Sequence, residues 1–370
     1  MLDILQIFND QVTADCGVAL LPTNNLLIDK PFKIGTVWFA PPDMVGGLSA
    51  LLASVDDRAF IPINAQSDEL VQSEMKGDSL RRFSSKLSGI EKSVIENSTI
   101  AVCPVVTDWE AFETANHVND ISLLEQLSSK ADRSLDLVRI QFCQLGLPDT
   151  VPGIPGYWDR ATGAIGAAII SPNGRGKLIG GIKSAIIPVG GLGLELNEQQ
   201  IDLIPSGDCA RLFKVAEVLD EISLATRYAL ELFSRAMYAN SDTLKFIMAI
   251  ALLEYLGSGE TYVKFEVIRK ALQPHLAKTS ADYDRLSIRF QELTSMCDGG
   301  KNVGYRHRII HEGRLLEELA PSPESRRQLF RELDGFIGKV IVQMSRLPCA
   351  TWDSLATWRK KRTAEILGAI

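Results

Sequence analysis

The chain is poor in the residues that most often carry metal and redox chemistry. It has four histidines and six cysteines among 370 residues, and Cys16, Cys103, Cys143, Cys209, Cys297 and Cys349 lie far apart with no C-x-x-C pair. That spacing excludes a zinc ribbon and a thioredoxin-like dithiol, and reads as free thiols in a reducing compartment. A chain of this length buries enough surface to need no disulfide or metal staple. The opening stretch MLDILQIFNDQVTAD begins with an acid and has no basic region, so no secretory signal is expected. The longest apolar run, Phe246–Leu256, is short for a bilayer span and contains Glu254. A cytoplasmic protein with no membrane association is the expectation. Phosphate-cradling and nucleophile motifs are missing too. Gly190-Gly-Leu-Gly193 lacks the third glycine of a dinucleotide fingerprint, Gly174-Arg-Gly-Lys177 is no P-loop, and Gly77-Asp-Ser79-Leu-Arg81 lacks the last glycine of a nucleophile elbow. The first two read as turns. There is no internal repeat and no low-complexity segment.

What is present divides into two halves of different character. Residues 211–370 hold 24 Lys and Arg against 20 Asp and Glu, which leaves 15 against 26 for residues 1–210. A balance of +4 in one half and −11 in the other suggests that the halves face different partners, although the basic excess is mild. In the first half, short apolar runs recur between turn signals: Val18–Leu21, Phe32–Phe39, Val94–Val105, Leu137–Cys143, Ala164–Ile170 and Ala185–Val189. One helical interruption is expected near Trp109–Leu127. These features point to a mainly-β domain over residues 1–208, a sandwich or barrel.

The period changes after about Pro205. Apolar residues from Val215 to Ala236 fall at helical spacing, and further helices are expected over about Thr243–Leu256, Lys264–Leu272 and Asp282–Met296. A fifth starts near Asn302, a good cap residue, and runs to about Leu319; a sixth follows Ser322-Pro323 and reaches about Arg346. The result is an α-helical bundle over 209–346. A helical basic tail covers 347–370, with Trp352, Trp358 and the run Arg359–Arg362; packing on the body of the protein is its expected role, with a membrane-surface helix or an RNA-contacting arm as alternatives. The fold class is therefore α+β multidomain.

The most informative segment is Tyr305-Arg306-His307-Arg308-Ile309-Ile310-His311-Glu312-Gly313, which holds two of the four histidines. On a helix, side chains turn by about 100° per residue. His307 and His311 then share a face, with Arg308 and Arg314 each three residues from His311. Ile309 and Ile310 are free to turn toward the bundle. Arg306, five residues before His311, points about 140° away from it. The two would cooperate only at an irregular helix start or across an interface between two copies. A cationic stripe with imidazoles suits metal-independent cleavage of RNA. Guanidinium groups hold the phosphodiester and stabilise its pentacoordinate transition state. A histidine removes the proton of the 2′-hydroxyl or donates one to the leaving 5′-oxygen. The products would be a 2′,3′-cyclic phosphate and a 5′-hydroxyl. His307 and His311 could bind zinc at i,i+4, but Arg308 stands where a zincin has Glu and opposes a cation. No metal and no cofactor is expected.

This segment resembles the R-x(4–6)-H signature of HEPN domains, with Arg306 and His311 separated by four residues. It is most similar to the Apea-like branch, in which Tyr closely precedes the Arg and Gly follows the His; here these are Tyr305 and Gly313, with Glu312 inserted. An acidic residue in the second long helix fits that branch at Glu254, and two further helices fit Val263–Cys297. Many members carry Asn after the Arg, where this chain has His307. The resemblance covers about Phe213–Ser345. It implies an HEPN-type bundle that works as a homodimer with the signature helices facing each other. It also implies a ribonuclease of bacterial anti-phage defence or abortive infection, cutting tRNA or other RNA. Arg306, His311 and His307 would then be catalytic, with Arg308, Tyr305, Arg314 and Glu254 binding RNA or supporting the site. The N-terminal domain would sense a phage-derived or protein trigger.

Blander roles stand beside these. Arg306 could be an ion-pair partner of Glu254 or Glu312, Glu254 a satisfied polar residue of the bundle, and Tyr305 a packing residue. For the whole protein the alternatives are a non-catalytic HEPN dimerisation module in a toxin–antitoxin-like system, or an RNA-binding protein that works through its basic tail.

Overall fold

The computed structural model describes residues 16–53, 55–57, 92–114, 117–147, 150–159, 163–182, 193–214, 219–259, 261 and 263–368. Packing divides the chain into two units, Met1–Leu135 with Asp149–Pro205, and Asp136–Pro148 with Ser206–Ile370. The N-terminal region is rich in strands and the C-terminal region is a mostly helical bundle. The segment expected at Ala185–Val189 and the Gly77–Arg81 stretch lie outside the described residues.

The first unit is built on one sheet. Its strands are β1 (Gly17–Thr23), β3 (Phe32–Ile34), β4 (Val37–Ala40), β5 (Val55–Asp57), β6 (Thr99–Val105), β7 (Tyr157–Asp159), β8 (Ala164–Ile170) and β9 (Gly176–Ile182). The order is β3-β4-β6-β1-β8-β9-β5, with β7 also on β8. β1 lies antiparallel between β6 and β8, Gly17 facing Val105 and Val18 facing Ile170. β5 joins β9 in parallel. A separate two-stranded parallel pair joins β2 (Leu26–Ile28) to β10 (Leu194–Leu196). Every residue of β1 and of β8 is buried, so both faces of the sheet centre are covered. On one face Val18, Leu20, Ile100, Val102 and Ile170 meet Leu48 and Leu52 of α1 (Leu48–Ala53) and Ile95 of α2 (Lys92–Glu96). The alternate residues Ala19, Leu21, Ala101, Cys103, Ala167 and Ile169 are fully buried as well. After α3 (Trp109–Thr114), α4 (His117–Ser134) packs on β6, β8 and β9, with Leu124 and Ala131 buried.

A sandwich or barrel was the expectation from the strand runs; among the described residues helices cover the large sheet. Continuous apolar strands such as β8 are what a sheet covered on both faces requires, but a short run cannot show whether strands or helices do the covering. Leu137–Cys143, read as a strand, is the helix α5 (Asp136–Phe142) and belongs to the helical unit. Its polar residues turn inward. Arg139, with no exposed side-chain surface, donates to Asp136 at 2.9 Å and to the Tyr238 hydroxyl at 2.6 Å, and Ser234 donates to Asp136 at 2.5 Å. A helix α6 (Glu198–Leu203) closes the first unit.

The bundle consists of α7 (Glu221–Met237), α8 (Asp242–Ser258), α9 (Phe265–Leu276), α10 (Ser280–Thr294), α11 (Tyr305–Glu312), α12 (Leu316–Leu319), α13 (Pro323–Arg346) and α14 (Trp352–Ile366). Local chemistry sets several of the starts. Asp220, Ser241 and Ser322 each accept a backbone N–H of the first turn, and Thr279 with Asp282 and Thr351 with Ser354 form capping boxes. The apolar run Phe246–Leu256 lies in α8, which α7, α9, α11, α12 and α13 surround; that is why it is apolar on nearly every side. Among the described residues no helix is long and apolar enough to cross a membrane.

α8 and α9 cross closely at Gly257, where an added Cβ would come within 2.6 Å of Ile268 Cγ2 and 3.3 Å of Ile268 Cα. Alanine gains up to about 1 kcal/mol of helix propensity over glycine. A methyl forced into a filled crossing costs about 1–3 kcal/mol. We expect Gly257→Ala to lower the unfolding free energy in urea by about 1–2 kcal/mol net; an equal or raised midpoint would show that the helices separate freely.

The basic tail packs on α9. Arg359 is buried and donates through Nε to His275 Nε2 at 3.0 Å, through Nη1 to the Gly257 carbonyl at 2.8 Å and through Nη2 to the Leu256 carbonyl at 2.7 Å. Nδ1 of His275 therefore carries the ring proton and donates to Gln343 Oε1 at 2.9 Å. Burial, with the Arg359 charge beside it, pushes His275 from 6.5 down to about 3, and burial brings Arg359 down to about 10. Asp334 of α13 moves the other way, its carboxyl pushed up from 3.8 to about 6 by burial.

These shifts oppose each other in acid. Below pH 6.5 the unfolded chain protonates His275 and the folded chain does not until about pH 3, so stability falls with pH by about 1.4 kcal/mol per unit. From about pH 6 to 3.8 the folded chain holds a proton on Asp334 that the unfolded chain lacks, which raises stability by a similar slope. Asp334→Asn removes the compensation. It should lose about 2–3 kcal/mol more than wild type between pH 6 and 4 in urea titrations; parallel profiles for the two proteins would contradict the assignment.

Candidate functional site

The segment singled out by its histidines is α11, and its setting explains its short length. A hairpin of β11 (Cys297–Asp298) and β12 (Lys301–Asn302) follows α10. Asn302 does not cap the helix; its Oδ1 accepts the Gly304 N–H at 3.1 Å and turns the chain into it. Gly304 is the N-cap, and a Cβ there would lie 2.5 Å from the backbone of Thr294 and Ser295, so only glycine lets the chain pass the end of α10. The single helix expected from Asn302 to Leu319 is broken at Gly313, which is left-handed at φ 68°. The N–H groups of Gly313 and Arg314 both turn back to the Arg308 carbonyl. A residue in this conformation ends a helix, and α12 starts afresh after it.

Along α11 the side chains separate as a regular helix demands. Arg306 points to α8, where its Nε lies 2.9 Å from Glu254 Oε1. Tyr305 packs on Phe246 of the same helix with ring centroids 6.1 Å apart. Ile309 is buried, but Ile310 is 46% exposed and does not turn into the bundle. His307 and His311 lie against each other with ring centroids 4.8 Å apart and planes tilted by 45°, and His311 is exposed. Arg308 lies 3.7 Å from Glu312, and Arg314 lies 2.6 Å from Glu318 of α12. The structure thus brings His307 to His311 and Arg306 to Glu254. No hydrogen bond, ion pair or ring contact joins Arg306 to His311 within one chain.

Sequence reasoning missed what lies behind Arg306. A cavity of about 340 Å³ opens between the C-terminal half of α8, the chain after it, the start of α9 and Arg306. Glu254, Tyr255 and Ser258 line it at helical spacing along one side of α8, which is the signal that could have disclosed it. Among the described residues there is no group of three or more His, Cys, Asp or Glu that could hold a metal ion. Chemically, α11 offers two half-sites: a guanidinium fixed by a carboxylate, and a pair of imidazoles of which His307 is half-buried and His311 exposed. Comparison of the chain with family models, with curated proteins and with solved structures gives no match.

Proposed function

We propose that this chain is a metal-independent endoribonuclease of HEPN type, whose active site forms where the α11 helices of two copies meet. One observation carries the reading: His311 stands exposed beside the tilted ring of His307, one helical face away from an Arg306 that Glu254 has already oriented. The half-exposed Ile310 and Leu315 beside it supply apolar surface for a second copy. A facing helix would carry its own His311 toward the first copy's Arg306. That meets the requirement of a guanidinium on the phosphate and an imidazole on the attacking or leaving oxygen. In the reaction the 2′-oxygen loses its proton and bonds to phosphorus. The P–O5′ bond breaks and the 5′-oxygen takes a proton. Arg308 and Arg314 would help to hold the RNA backbone. A tRNA substrate, a role in anti-phage defence and a trigger sensed by residues 1–208 extend the same reading.

The test is incubation of purified protein with total tRNA in EDTA. Cleavage that leaves 2′,3′-cyclic phosphate ends supports the proposal. A protein that forms dimers and binds RNA without cutting it would favour the second reading. That reading is a non-catalytic dimerisation or RNA-binding module, and the ion pair that already occupies Arg306 within one chain is what favours it.

A further inference from the structure

The segment that would meet RNA is not electropositive. From Tyr305 to Leu319 the chain carries three arginines and three glutamates. Each of these arginines lies against a carboxylate of the same chain. Arg306 is held by Glu254 of α8 at 2.9 Å, Arg308 lies 3.7 Å from Glu312, and Arg314 lies 2.6 Å from Glu318. With both histidines neutral, the charges of the segment cancel, and Glu254 leaves the set one unit negative. A polyanion gains affinity and speed of approach from positive potential, and these groups supply no excess of it.

The three pairs differ in kind. Arg306–Glu254 joins two helices and fixes the guanidinium. The other two are local to the end of α11. The left-handed turn at Gly313 brings the Arg314 N–H to the Arg308 carbonyl at 3.2 Å, so both arginines leave the chain at the helix end that carries His311. Glu312 and Glu318 are each 45% exposed, and pairs this open hold weakly, so a phosphate can displace them. Helix energetics do not account for Glu312. It is the last residue of α11, where the helix dipole disfavours an acid, and an arginine four residues before a glutamate is the weaker order of such a pair. Glu318 differs, since an acid in the first turn of α12 is favourable.

We infer that Glu312 and Glu318 restrain RNA binding, by keeping Arg308 and Arg314 neutralised until a backbone phosphate displaces each carboxylate. The inference rests on reading α11 as the RNA-binding helix of the proposed nuclease. It gives the two glutamates a discriminating role. RNA with no other contact to the protein is held off, and RNA that makes further contacts overcomes the restraint.

The test is fluorescence anisotropy of a labelled oligouridylate with the full chain in EDTA, over a range of salt, with every protein carrying His311→Ala so that the RNA stays intact. Glu312→Gln combined with Glu318→Gln is expected to tighten binding about 5- to 10-fold, because two negative charges near the phosphates are gone. The log–log fall of affinity with salt should steepen by about 1.4, the slope of two further phosphate contacts on a single strand. Glu312→Gln alone should tighten binding without lowering the urea midpoint, because the helix end is better off without the acid. Glu365→Gln makes the same change in net charge and frees Arg362 of a similar pair on α14, yet should tighten binding less than about twofold. No tightening, weaker binding, or equal tightening in Glu312→Gln and Glu365→Gln overturns the inference, as does failure of every variant to bind RNA. RNA cleavage by the protein with its native His311, while the glutamate variants bind no more tightly, would sink the restraint alone. Tighter binding in those variants, from a protein that never cleaves RNA, would keep the restraint and sink the nuclease.

Discussion

Replacing His311 by alanine is expected to slow RNA cleavage by about 10²–10⁴-fold, the usual worth of one general acid or base. The side chain is exposed and its ring lies against that of His307, so the substitution should leave stability within about 0.5 kcal/mol of wild type. Loss of activity without loss of fold separates a catalytic role from a structural one. His307→Ala should cost less, because that ring is half-buried beside the exposed His311. Arg306→Ala is a harsher change, since it also strands Glu254 on the wall of the cavity. The three variants can be combined to ask where the site is built. If Arg306 of one copy works with His311 of the other, mixing inactive Arg306→Ala and His311→Ala proteins restores part of the activity, because each mixed dimer contains one complete site. No recovery after subunit exchange would place both groups in one chain, which the geometry of α11 opposes. Full activity in His311→Ala would end the assignment altogether.

The helical half was legible because its signals are long and local. Ser322-Pro323 marks the start of α13 where it stands, and the apolar run from Phe246 is long enough to fix α8. The ion pair of Arg306 with Glu254 was among the alternatives weighed from sequence, and the structure contains it. Gly313 was read as part of a family motif; its left-handed backbone, which cuts α11 from α12, was not. The first half was harder. Short apolar runs fit a strand and a buried helical turn equally well, and α5 was misread for that reason. What decides it is Tyr238, 99 residues away from Arg139. Nor does Arg359 announce itself. It sits in the basic run Arg359–Arg362 of a tail expected to pack on the body of the protein, where nothing local marks which residue is buried, and its carbonyl acceptors lie 102 and 103 residues earlier in the chain. Contacts of that range have no local signature.

That buried arginine leads to the largest expected loss of stability. Arg359→Met preserves length and apolar bulk but removes three donors at once. The acceptors it leaves are His275 Nε2 and the carbonyls of Leu256 and Gly257, which are last-turn groups of α8 with no partner inside the helix. Replacing a whole buried polar cluster by apolar residues can be neutral; removing one side only is not, and each stranded acceptor costs about 1–3 kcal/mol. Water reaching the helix end would recover part of this, so a loss of about 3–5 kcal/mol in urea unfolding is expected. His275→Leu in the same protein removes one of the three stranded acceptors, so the double variant should be less destabilised than the two single changes summed. A loss under about 1 kcal/mol for Arg359→Met would mean that the tail does not secure α8. The effect should also reach the site. Leu256 and Gly257 follow directly on Glu254 and Tyr255, so an unsecured helix end loosens both the carboxylate that orients Arg306 and the Tyr255 ring that lines the cavity. Arg359→Met should therefore lower RNA cleavage at temperatures where the protein is still fully folded.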